Sequence, residues 1–243
     1  MITRTQFKWQ LPPAIEARLG DSTYGRQRTI FEDGHLLIIL HEPPGPDDVN
    51  RAHKVFWRKP IGEIQCNGHD NGDRQLRAFF DHYDTKLKAL EVIYDEAKNA
   101  EDYFKLIEEL LPLQRATTNT YSTLQQAREL VREDRFLLEM RDRAYTISRN
   151  FELLLGDAKM AMDFRIARKA EEQVAQANMA VEAQHRLNIL AAVFFPLTAI
   201  ATIFGMNLAH GFEGESPLVF WIVFVVGLVT GLALKGWVVS GRK

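Results

Sequence analysis

Residues 187–212 read LNILAAVFFPLTAIATIFGMNLAHGF, 26 consecutive positions without Asp, Glu, Lys or Arg. A bilayer core takes about 20 mostly apolar helical residues to cross, so the stretch is long enough to span it. A second uncharged run of 19 residues follows, from Ser216 to Leu234. Two such runs in succession point to a pair of membrane helices near the C-terminus rather than to buried core helices.

The flanks set an expected orientation. The segment between the runs carries Glu213 and Glu215 and no Lys or Arg, whereas Arg186 precedes the first run and Lys235, Arg242 and Lys243 follow the second. The positive-inside rule then puts both termini in the cytoplasm and the short loop outside. Trp221 and Trp237 stand near opposite ends of the second span, where aromatic residues anchor at the interface.

The first 186 residues are charged and periodic, with enough chain for a domain with its own core. The formal net charge is −2, with no dominant basic patch, so no nucleic-acid partner is expected. The single Cys66 precludes a disulfide framework within the chain. No apolar signal-peptide core stands at the N-terminus.

Residues 1–72 are expected to form a small N-terminal α/β part. Gln6–Leu11 alternates polar and apolar as a half-buried strand would, and His35–His41 is a short apolar run bounded by Asp33-Gly34 and Pro43-Pro44-Gly45-Pro46. Val55-Phe56-Trp57 and Gly62–Gln65 are weaker strand candidates. Residues 73–156 are expected to be antiparallel helices. Leu76, Phe79, Phe80, Tyr83, Leu87 and Leu90 recur at helical spacing. Pro112 predicts a helix end near Leu110, with a second helix over 118–155, and Gly156-Asp157 reads as a cap followed by a new start. Residues 157–207 then form one stalk helix that becomes the first span, about 75 Å long at 1.5 Å per residue. A stalk of that length needs partners, which points to an oligomer. Residues 208–216 form the outer loop and 217–240 the second span with its basic tail. The fold class is therefore α+β and mostly helical.

Stepping back from Gly205 in alternating threes and fours meets Thr202, Thr198, Phe195, Ala191, Asn188 and Gln184. This heptad line is a narrow seam able to face a symmetry axis. Its neutral amides and hydroxyls, with Asn207 at the far end, suit a hydrated cation. Mg²⁺ sheds water reluctantly, and conduction needs weak binding at several sites. A ring of Phe195 would form a hydrophobic constriction; packing between helices is the other use of that ring. Thr198 and Thr202 would equally serve interhelical hydrogen bonds.

Phe204-Gly205-Met206-Asn207 at the end of the penultimate span, Phe195-Pro196-Leu197-Thr198 eight residues before it, a short loop, one last span and a basic tail together resemble the CorA magnesium-transporter superfamily. The resemblance covers about residue 157 to the C-terminus. It implies a funnel-shaped homopentamer in the inner membrane, with first spans lining the pore and no cofactor beyond the transported ion. It further implies a selectivity filter of Gly205, Met206 and Asn207, where Asn207 contacts the hydrated ion. Glu213 and Glu215 would then place ten carboxylates around the outer mouth and raise the local cation concentration. Leu208 and Phe204 depart from the family's usual aromatic and Tyr, and the N-terminal part is short. Asp70 with Asp73, and Asp81 with Asp84, are the nearest acidic pairs for regulation by Mg²⁺. Mg²⁺ is the expected cargo, with Co²⁺ and Ni²⁺ beside it. A zinc transporter of the same superfamily, with His210 in the loop and His185 beside the seam, is the first alternative. A transport-inactive membrane-anchored scaffold is the second. No phosphate loop, nucleophile elbow or hydrolase motif argues for an enzyme.

Overall fold

The structure is a computed structural model that describes residues 7, 9–21, 23–45, 52–205 and 217–240. The chain divides into two compact units, residues 1–167 and 168–243.

The first unit is built on β2 (His35–His41), the apolar run expected to be a strand. It pairs antiparallel with β1 (Arg28–Glu32) on one side and β3 (His53–Arg58) on the other, and β3 pairs with β4 (Ile64–Cys66). The four strands form a meander in chain order. Every neighbouring pair is antiparallel, so the expected α/β character gives way to an antiparallel sheet. The reason is local: Asp33 and Gly34 both take positive φ, 48° and 78°, and close a two-residue hairpin between β1 and β2.

β2 is unbroken in its hydrophobicity because both its faces are covered. Leu36, Ile38 and Leu40 join Phe56, Ile64 and Cys66 in the larger core, which the helices complete. Leu37 and Ile39 join Ile30, Val55 and Trp57 in a smaller core capped by Ile15, Leu19 and Tyr24. Ile15 lies in the short helix α1 (Pro13–Glu16). The strand expected over Gln6–Leu11 is absent among the described residues of that stretch. Phe7, Trp9 and Leu11 pack instead as side chains against the second core, so their alternation comes from packing without a ladder.

α2 (Gly72–Glu96) buries Leu76, Phe79, Phe80, Tyr83, Leu87 and Leu90, the expected stripe. Its first residue must be small: a Cβ on Gly72 would stand 2.6 Å from the Ile64 carbonyl oxygen. α3 (Ala100–Leu130) runs straight through Pro112, contrary to the expected break near Leu110. The break falls earlier, at Ala97–Asn99. There Asn99 Oδ1 accepts from the backbone N–H groups of Glu101 and Asp102 at 2.9 and 3.0 Å. Asp102 Oδ2 accepts in return from those of Lys98 and Asn99 at 2.9 and 3.2 Å. This reciprocal cap satisfies donors that a helix start leaves open. The N–H groups of Lys98 first, and Asn99 next, hold the Asp102 carboxyl below its ordinary range. Pro112 removes one helical hydrogen bond, to the carbonyl of Glu108, a residue on the exposed side of the helix. Buried Leu106, Leu110, Leu113 and Ala116 continue the helix on the dry side.

α4 (Arg135–Gly205) is one helix of 71 residues. The expected helix over 118–155 and break at Gly156 are therefore corrected. Gly156 keeps helical φ rather than the positive value a capping glycine takes, and Leu154, Leu155 and Ala158 are buried around it. The actual start is set by Asp134, whose Oδ1 accepts from the N–H groups of Phe136 and Leu137 at 2.9 and 3.1 Å. Asp134 Oδ2 meanwhile takes Arg58 Nε of β3 at 2.5 Å, and these side chains are only 11% and 13% exposed. One carboxylate thus fixes a helix start and ties it to the sheet.

Candidate functional site

The second unit contains the C-terminal part of α4 and α5 (Pro217–Ser240). Both helices are long and apolar enough to cross a membrane. Pro196 sits inside α4, and the helix continues past it to Gly205.

The two helices meet at a glycine seam. Gly227 and Gly231, four residues apart, are buried positions of α5. A Cβ on Gly231 would lie 2.6 Å from the Val193 carbonyl oxygen and 3.1 Å from Val193 Cα. A Cβ on Gly227 would meet Ile200 Cδ1 at 3.3 Å and Leu197 Cδ1 at 3.4 Å. Val193, Leu197 and Ile200 therefore form the α4 face that receives α5, and small residues let the backbones approach. The Gly-x-x-x-Gly spacing of Gly227 and Gly231 in an apolar run is a sequence signal that could have pointed to this contact and was missed.

The polar heptad line occupies the other side. At about 100° per residue, Gln184, Asn188, Ala191, Phe195, Thr198 and Thr202 fall roughly 140–180° around the helix from Val193. Gln184, Asn188, Thr198 and Thr202 are exposed, Ala191 is half-buried, and Phe195 is 72% exposed. The hydroxyl of Thr198 donates to the Phe194 carbonyl, and that of Thr202 to the Thr198 carbonyl at 2.7 Å. Each threonine thereby commits its proton to its own helix and keeps its oxygen lone pairs as acceptors. Gly205 ends the helix, exposed, with open space around a notional Cβ. Met206, Asn207, His210, Glu213 and Glu215 lie outside the described residues.

Other sequence candidates are engaged structurally. Asp81 and Asp84 both take Arg143 Nη2, at 2.6 and 2.7 Å. Asp70 accepts from Gln65 Nε2 at 2.8 Å. Burial first, then the Asp134 charge, push the Asp73 carboxyl up, while Arg77 opposes them. No cluster of three potential metal ligands occurs among the described residues. Cys66 and His69 are joined through their backbones, Cys66 N to His69 O at 2.8 Å and His69 N to Cys66 O at 2.9 Å.

The Cys66 thiol is buried, and burial pushes its pKa up from 9.0 to about 11, with Lys54 opposing and Glu42 adding. It is therefore expected to resist a disulfide reagent at pH 8 and to react fully once the chain is unfolded in denaturant. The sign of the pH effect follows. Below pH 9 the thiol is protonated folded or unfolded, but between about 9 and 11 the unfolded chain loses the proton first. Stability should fall across that window, and Cys66→Ala should flatten this part of the profile in alkaline melting curves.

A model of the family described as CorA-like Mg2+ transporter protein matches residues 73–239. The chain belongs to this family. Its members are membrane transporters of divalent cations, which accords with the two apolar helices. Among solved structures, that of the full-length CmaX protein is similar, at 13% identity and a TM-score of 0.52, over 89% of this chain and 77% of that one. The CorA magnesium transporter from Methanocaldococcus jannaschii aligns at 14% identity and a TM-score of 0.39, over 86% of this chain and 77% of that one. At these identities the CmaX likeness concerns the fold alone. No curated protein gives a match.

Proposed function

We propose that this CorA family member passes hydrated divalent cations, Mg²⁺ above all, along an axis lined by the C-terminal part of α4 from several copies. The arrangement would be a funnel-shaped homopentamer in the inner membrane, with both termini in the cytoplasm. The observation that carries the reading is the placement of Asn188, Thr198 and Thr202 on the α4 face opposite its α5 contact. If that face met lipid, neutral polar groups would sit in hydrocarbon without advantage. Around a water-filled axis they have a use. Water bound to a cation turns its protons outward, and the threonine oxygens, having donated inward, are acceptors for those protons. Such contacts hold the hydrated ion loosely enough for it to leave.

In this reading Gly205, Met206 and Asn207 form the outer filter, with the Asn207 oxygens facing the ion's water shell. Phe195 forms the hydrophobic constriction of the path, and Gln184 and Ala191 line it on either side of Asn188. Glu213 and Glu215 concentrate cations at the mouth, an effect that salt should weaken.

Flux into liposomes with Mg²⁺, Co²⁺, Ni²⁺ and Zn²⁺ tests the proposal. Wild-type protein should carry Mg²⁺, and Asn207→Ala should cut that flux at least tenfold with the oligomer intact by size-exclusion chromatography. A protein that moves Zn²⁺ but not Mg²⁺ would be a zinc transporter. An intact oligomer that moves none of the four would be a scaffold, and either result overturns the reading.

A further inference from the structure

A groove in the second unit presents its groups in the order in which a phospholipid carries its own. It lies along α4, is lined by Met179, Glu182, Ala183, Arg186, Leu187 and Leu190, and has a volume of about 370 Å³. Leu187 and Leu190 are exposed apolar side chains inside the 26-residue uncharged run. Arg186 is the last charged residue before that run, and Glu182 stands about one helical turn further from it. One stretch of helix thus offers a carboxylate, then a guanidinium, then an apolar surface.

α5 adds a second cation at the same level. Gly231 meets Val193 and Gly227 meets Leu197, which sets the antiparallel register of the two helices. Lys235, four residues beyond Gly231, then stands level with Ile189, about 4.5 Å along the axis from Arg186. At about 100° per residue, Arg186 is turned about 20° from Val193, and Lys235 about 40° from Gly231. For antiparallel right-handed helices these rotations lead to the same flank of the contact. Ala183 and Leu190 are turned the same way as Arg186, by about 80° and 60°. Lys235 is exposed and is the first charged residue after the second uncharged run. Both cations therefore stand at one end of the helix pair, where long basic side chains reach from the hydrocarbon boundary to the headgroups.

The carboxylate selects among headgroups. Arg186 Nη2 donates to Glu182 Oε1 at 2.6 Å, and the two side chains are 74% and 65% exposed. An exposed pair of this kind contributes little stability. It leaves further N–H donors on the guanidinium and a second oxygen on Glu182. A headgroup that is only anionic would gain from Arg186 and lose to Glu182. A headgroup with a phosphate nearest its acyl chains and an ammonium beyond it meets both charges in the order in which α4 presents them.

We propose that this groove seats a bilayer phospholipid with a primary-ammonium headgroup, phosphatidylethanolamine in its chemistry. Its phosphate lies on Arg186 and Lys235, its ammonium on Glu182, and its acyl chains run along Leu187 and Leu190. Charge-assisted hydrogen bonds join both ends of the headgroup to the helices. A choline headgroup carries the same charges but has no N–H to donate, and its methyl groups hold the carboxylate at a distance. The inference takes from the proposed function only that α4 and α5 cross the bilayer; it does not depend on which ion passes.

The test is native mass spectrometry of the full chain in detergent, with phosphatidylethanolamine, phosphatidylcholine or phosphatidylglycerol of identical acyl chains added in turn. Phosphatidylethanolamine is expected to saturate at one per chain and to bind about tenfold more tightly than phosphatidylcholine, the scale of one charge-assisted hydrogen bond. Glu182→Gln should bring phosphatidylethanolamine down to the phosphatidylcholine level without weakening phosphatidylglycerol. Arg186→Gln should weaken all three about tenfold. Both side chains are exposed, so neither variant should change the melting temperature. Equal binding of the ethanolamine and choline lipids by the wild-type chain, or an undiminished ethanolamine preference in Glu182→Gln, would overturn the assignment. Binding that appears only after removal of residues 241–243 would overturn it too, by showing that the chain's own basic end occupies the groove. Lipid adducts are read without any flux, so a chain that binds phosphatidylethanolamine but moves no Mg²⁺ supports this inference while removing the transport reading.

Discussion

Asp134→Ala is expected to destabilise the first unit by about 3–5 kcal/mol, the scale on which losing one partner of a buried ion pair acts. Two effects coincide at this carboxylate. Its Oδ1 caps α4 through the N–H groups of Phe136 and Leu137, and its Oδ2 neutralises Arg58 on β3. Removing it leaves a guanidinium nearly out of water, with only a long 3.3 Å bond to the Lys59 carbonyl in place among the described residues. The two effects can be separated. Asparagine caps as well as aspartate but carries no charge. Asp134→Asn should therefore retain about 1 kcal/mol relative to Asp134→Ala, the usual worth of a cap, while still exposing the Arg58 cost. Arg58→Met should be milder than either, because the carboxylate it leaves behind keeps its two backbone donors. Urea melting of the full chain in detergent, with protease resistance of the first unit as a second probe, would give the order. A loss under 1 kcal/mol in Asp134→Ala would mean that the pair is solvated and does not fasten the sheet to α4.

The same residues explain which parts of the fold could be read from the sequence. β2 was legible because covering both faces demands an unbroken apolar run, and Leu36–Leu40 supplies one between a hairpin turn and a proline cluster. β1 was missed, since Arg28–Glu32 holds only Ile30 as a buried position and carries charge at both ends. The helix breaks were misplaced for one physical reason. Pro112 and Gly156 are strong local signals, but each costs a few kcal/mol at most, and buried side chains on both sides outweigh them. The true breaks are marked by weaker letters, Asn99 with Asp102, and Asp134, whose meaning depends on side-chain bonds that a hydrophobic pattern does not register. The two apolar helices were legible from charge alone. The polar line on α4 was legible from its heptad spacing, but its position opposite α5 was not, because that depends on which α4 residues receive the glycine seam. Gly227 and Gly231 stood in the sequence with the right spacing; only the structure joins them to Val193 and Leu197.

Gly231→Leu is expected to abolish the folded hairpin of α4 and α5, and with it any cation flux. The argument rests on a contest of magnitudes. In a helix interior, replacing Gly by Ala gains about 1 kcal/mol of propensity. Against that stands the contact the new Cβ would make. At Gly227 the nearest atoms are the methyl ends of Ile200 and Leu197 at 3.3 and 3.4 Å, which yield by small rotations. Gly227→Ala should therefore be neutral or slightly stabilising. At Gly231 the Cβ would meet backbone, the Val193 oxygen at 2.6 Å and carbonyl carbon at 3.2 Å, which cannot yield without moving α4 itself. Overpacking of that kind costs about 1–3 kcal/mol, enough to cancel or reverse the propensity gain in Gly231→Ala. Leucine adds three further carbons at the same spot and removes the close approach on which packing between apolar helices depends. Thermal melting in detergent, with oligomer size and Mg²⁺ flux measured on the same preparations, should rank Gly227→Ala near wild type, Gly231→Ala below it and Gly231→Leu unfolded and inactive. Wild-type melting and flux in Gly231→Leu would show that α5 does not use this face, and would remove the reason for placing Asn188, Thr198 and Thr202 opposite it.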